Sequence, residues 1–96
     1  MTVLTLVSDS DREIKPLVQS AIDHELRLLE AGVHKTEHNI KKFEDQYHFS
    51  TDEFIARYER NEIDESLDAA EWIGEYRLLH RFHEKISALR GIRIAH

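Results

Sequence analysis

The sequence predicts an all-α protein: an antiparallel helical hairpin with a short middle helix, coiled-coil-like packing and short extended terminal segments. Three observations carry this. Apolar residues recur from Ile22 through Leu26, Leu29, Val33, Ile40 and Phe43 to Tyr47 in alternating steps of three and four, with only Thr36 off type. A second long stripe runs from Ala69 to Leu89 and ends before Gly91. Between them, Ser50-Thr51-Asp52-Glu53 restarts a helix.

The elements follow in order. Val3, Leu4, Leu6 and Val7 with two threonines form a β-prone stretch, expected as an extended arm or one short strand whose possible mate is Ile92-Arg93-Ile94. Ser10 and Glu13 have the spacing of a capping box, but Pro16 is comfortable only in a first turn, so residues 1–15 read as arm and lead-in. The long helix then spans 16–48, a rod of about 48 Å at 1.5 Å per residue. Ser50 is the expected N-cap of the short helix (50–61), with Glu53 reaching back to it and Phe49 stapled to Phe54. Asn61 is its expected left-handed stop. The third helix covers 66–90, and 91–96 is a tail. One domain accounts for all 96 residues.

Charge selects the pairing. The first half of helix three is acidic (Asp64, Glu65, Asp68, Glu71, Glu75) and its second half is mainly basic. Helix one runs from Asp23, Glu25 and Glu30 to Lys35, Lys41 and Lys42, so antiparallel packing sets unlike charges together. Both mid-helix glycines, Gly32 and Gly74, are expected where helices approach closely, since each costs about 1 kcal/mol of helix propensity.

The function classes narrow by composition. A net charge of −6 argues against nucleic-acid binding; the one basic strip lies near Arg77, Arg81 and Lys85. There is no cysteine, no apolar run of membrane-spanning length and no leader-like N-terminus, so a cytoplasmic protein is expected. Nucleophile motifs and phosphate loops are missing, and no cofactor or catalytic residue is implied; the expected role is non-enzymatic.

Three surfaces remain as candidates. The helix-one seam (Ile22, Leu26, Leu29, Val33, Ile40, Phe43) is longer than helix three can cover and predicts a homodimer or higher oligomer. The acidic residues Asp64, Glu65, Asp68, Glu71 and Glu75, with Trp72 as anchor, suit a basic protein partner; the reading the sequence favours for Trp72 itself is that, with Tyr76, it closes the core against Phe43 and Tyr47. Among seven histidines, His34 with His38 and His80 with His83 each share a helical face, the alternative being a histidine-rich metal-binding bundle. His83 borders the apolar stripe, whereas His34 and His38 fall beside the seam where solvent is expected.

Taken together, Phe43-Glu44-x-x-Tyr47, Phe49-Ser50-Thr51-x-Glu53-Phe54, an acidic loop and Glu71-Trp72 resemble a class of small prokaryotic helical proteins encoded beside a second small gene, in the manner of toxin–antitoxin pairs. The resemblance spans roughly Glu25 to Leu89. It implies an acidic, antitoxin-like protein that neutralises a basic partner such as a toxin, and it carries over no catalytic residue.

Overall fold

In a computed structural model describing residues 2–9 and 12–94, the chain is three helices: α1 (Lys15–Tyr47), α2 (Thr51–Glu59) and α3 (Leu67–Arg90). The long helices pack antiparallel in a rod of 60 × 25 × 18 Å, with Tyr47 beside Asp68 at one end and Glu30 beside Arg90 towards the other. The Arg90–Glu30 ion pair, at 2.7 Å, joins the basic end of α3 to the acidic half of α1 as the charge pattern predicts. Both side chains are largely solvated, so this pair orients more than it stabilises.

Pro16 sits in the first turn of α1, where its missing N–H is harmless. Ser10, the cap of the box read with Glu13, lies outside the described residues. Residues 2–9 form no strand and expose Val3, Leu4 and Val7, so no pairing with Ile92–Ile94 exists among the described residues. Isolated strand pairs lack the burial to stand alone. α1 stops at His48, a non-glycine residue at φ 63°, whose N–H returns to the Glu44 carbonyl.

Ser50 caps α2 as expected, its hydroxyl accepting the Glu53 N–H at 3.1 Å. The reciprocal half differs: the Glu53 carboxylate takes the Arg57 Nε at 2.8 Å. Phe49 and Phe54 meet with ring centroids 6.4 Å apart, completing the staple. Asn61 holds φ 58° just past the end of α2, as its short side chain allows. Ser66 caps α3 through the Ala69 N–H. Gly91 follows α3 at φ −81°, in the right-handed region.

Two apolar clusters hold the rod. One, at the α2 end, gathers Phe54, Ala69, Trp72 and Ile73; the other, midway along, gathers Leu29, Val33 and Ile86. Thr36, the off-type seam residue, is buried with them.

Candidate functional site

Of the two readings of Trp72, partner anchor and core, the structure shows the core. It is 1% exposed and stacks on Phe54 at 4.0 Å, with Phe43, Phe49 and Tyr47 around it. Its indole N–H donates to the Thr51 hydroxyl at 3.0 Å, and that hydroxyl donates to the Glu44 carboxylate at 3.0 Å. The same carboxylate oxygen accepts the Thr51 backbone N–H at 2.7 Å, placing negative charge at the start of α2 where it is favourable. An indole committed to a buried hydrogen bond and five-ring packing is core, not partner surface.

The acidic stretch divides. Asp64, Glu65 and Glu71 are exposed, and Leu67 beside them is 82% exposed. Asp68 instead accepts hydrogen bonds from the Tyr47 hydroxyl and the Gln46 amide, tying α1 to α3. That bond, with some desolvation, holds the Tyr47 phenol above its ordinary pKa. Glu75 is half-buried and keeps one carboxylate oxygen inaccessible with no hydrogen-bond partner. The surface therefore offers three free carboxylates around an exposed leucine, in place of five around a tryptophan.

An open groove of about 570 Å³ lies between the long helices. Asn39, Lys42, Phe43 and Gln46 form its α1 wall. Glu71, Gly74, Glu75, Leu78 and Arg81 form its α3 wall. The expected close approach over Gly74 is corrected here, because a Cβ built at Gly74 meets nothing within 4 Å. The close crossing is at Gly32, over the Phe82 ring. Lys42 lines the groove with Glu71 and Glu75, whereas Lys41 pairs with Asp45 on its own helix at 3.0 Å.

The seam residues proposed for oligomerisation face inward. Leu29, Val33 and Ile40 are buried against α3, Leu26 packs on the same cluster, and Phe43 packs against the Trp72 cluster. Ile22 is half-buried on the part of α1 that precedes the Glu30–Arg90 pair. Residues 15–25 extend beyond that pair by about 16 Å of helix. What α1 leaves exposed is the neighbouring face, where Leu17 and Leu28 are 59% and 56% exposed.

His34, His38, His80 and His83 are all exposed; His80 and His83 line a second groove between the long helices, opposite the first, beside Ile40 and Leu79. The ring of His80 meets Tyr76 edge-on at 4.6 Å. Among the described residues no group of three or more His, Asp or Glu is arranged to hold a metal ion, so the two histidine pairs are not brought together with a third ligand. Likewise no helix among them is long and apolar enough to cross a membrane.

Compared with protein families, curated proteins and solved structures, the chain matches none. The resemblance to antitoxin-like proteins thus rests on the motifs alone. Their structural content is now visible: Glu44, Tyr47, Phe49, Ser50, Thr51, Phe54 and Trp72 build the joint between the three helices.

Proposed function

We propose that this protein is a non-enzymatic protein–protein interaction module that works as a homo-oligomer. The observation that carries this is the overhang: α1 outruns α3 while Leu17 and Leu28 stay more than half exposed on one of its faces. Apolar side chains presented in a row along a helix seek a partner helix. The fold argues in the same direction, since a thin hairpin with two small clusters buries little on its own.

Light scattering on a sizing column tests this, with a dimer or larger species expected at micromolar concentration. A monomeric mass overturns it. Leu28→Glu is expected to dissociate the assembly while keeping helicity, because Leu28 is outside the hairpin core; His34→Asp on another exposed face is the control.

A second reading concerns a basic partner, and antitoxin-like neutralisation is its specific form. Leu67, exposed at the first turn of α3 among Asp64, Glu65 and Glu71, supplies the apolar contact that Trp72 does not. Charge at the rim speeds association and an apolar side chain holds the complex. Capture of a basic protein from the native host at low salt, lost in Asp64→Asn/Glu65→Gln/Leu67→Ser, is the expected result. Equal capture by that variant removes this surface from consideration.

A further inference from the structure

The two exposed leucines of α1 share a stripe with the α1 wall of the groove. From Leu17 it passes through Ala21, Leu28, Lys35, Asn39 and Lys42, in steps of three, four and seven that keep one helical face. Its first part stands on the overhang; its last part belongs to the groove. At that groove α3 contributes Gly74, whose missing side chain leaves a gap with nothing within 4 Å of a Cβ, between Phe43 and Leu78. One half of the stripe therefore projects leucine and the other half lacks cover.

We propose that the groove receives the α1 overhang of a second copy of this chain, with Leu17 of each copy seated over Gly74 of the other. The proposal rests on the self-association argued above and specifies its geometry. Trp72 lies opposite Phe43 and Asp68 opposite Tyr47, so Gly74 is within one residue of the level of Lys42, which lines the same groove from α1. A second α1 laid antiparallel, with its Leu17 at that level, places a twofold axis midway between positions 17 and 42. Leu28, the other exposed leucine, then lies beside the axis in both copies.

The same register brings Glu25 of the overhang to the level of Arg81 and Lys85 on the receiving α3. All three are exposed, and none makes an ion pair among the described residues. Every copy carries both a projecting half and a receiving half, so the contact occurs twice and closes without free ends, as an isologous dimer requires. Gly74 in this arrangement has a use that its own hairpin does not give it: a bare backbone under an incoming helix.

The chain has no cysteine, which makes the test direct. Within one chain, positions 17 and 74 are about 37 Å apart along the rod at 1.5 Å rise per residue. A disulfide needs Cα atoms roughly 4.4–6.8 Å apart, so Leu17→Cys/Gly74→Cys can bond only between copies. Under mild oxidation the double variant is expected to run as a covalent dimer on a non-reducing gel, while Leu17→Cys/His80→Cys, aimed at the groove that His80 and His83 line with Ile40 and Leu79, stays monomeric. Gly74→Leu, which fills the gap from within, is expected to weaken the dimer at least about tenfold, with no fall in melting temperature in solution dilute enough for wild type to be monomeric. If wild type is a dimer but Leu17→Cys/Gly74→Cys forms no disulfide and Gly74→Leu leaves association unchanged, this geometry is overturned and self-association stands. A wild-type monomer overturns both.

Discussion

The ring of Phe82 on α3 covers Gly32 of α1 so closely that a Cβ built at Gly32 stands 2.7 Å from the ring's Cζ. Phe82 belongs to the middle apolar cluster with Leu29, Val33 and Ile86, so this contact fixes where the long helices approach. Alanine at position 32 gains about 1 kcal/mol of helix propensity. Overpacking against an aromatic ring costs about 1–3 kcal/mol. The clash is expected to win, and Gly32→Ala should lower stability by about 1 kcal/mol in urea denaturation. Adding Phe82→Leu should recover most of that loss, the signature of a direct steric term. A stabilised Gly32→Ala variant means that the ring swings aside freely.

The joint of the three helices depends on one hydroxyl. Thr51 accepts from the Trp72 indole and donates to Glu44, so Thr51→Val keeps the shape and removes both bonds. A buried donor left without a partner costs about 1–3 kcal/mol, and that is the expected loss on urea unfolding. Thr51→Ser retains the hydroxyl and should lose distinctly less. If valine and serine behave alike, the hydrogen bonds do not hold this joint.

Tyr47 makes the hairpin sensitive to alkali. Its hydrogen bond to Asp68 raises the phenol pKa above the ordinary value of 10.0. A group whose folded pKa is raised contributes stability that is complete below its unfolded pKa and lost as pH rises through the folded one. The wild type should therefore lose stability above pH 10 more steeply than Tyr47→Phe, which has no proton to lose. The contact is at the surface, so the difference is modest. Parallel pH curves for the two proteins contradict this role.

Much of this was legible before any coordinates. The 3–4 periodicity, the Ser50 cap and the charge halves specify helices and their antiparallel order, because each is a short-range or one-dimensional signal. The glycines show where such signals stop. Gly32 and Gly74 look alike in sequence, but only at Gly32 does an opposing side chain reach the backbone, and that depends on rotation of both helices. The seam is a related case: periodicity says that Leu29, Val33 and Ile40 need cover, and cannot say how much of it α3 of the same chain provides. Glu44 escaped notice as a helix cap because it sits seven residues before Thr51, across a turn made by His48 in a left-handed conformation that non-glycine residues seldom adopt. Trp72 could be read as core or anchor until its four ring neighbours were in place.

Gly74 separates the hairpin from its assembly. In an isolated chain nothing opposes a Cβ there, and replacing an exposed mid-helix glycine by alanine should add about 1 kcal/mol to stability. In the proposed dimer the same methyl enters the seat of Leu17 and weakens association. The two effects separate with protein concentration, since association stabilises the folded state by mass action only where copies are plentiful. Urea midpoints are expected to be higher for Gly74→Ala than for wild type in dilute solution. At high concentration, where wild type gains from dimerisation and the variant gains less, the difference should shrink or change sign. A constant advantage at every concentration places Gly74 outside any interface, and a loss in dilute solution means that the glycine serves the hairpin itself.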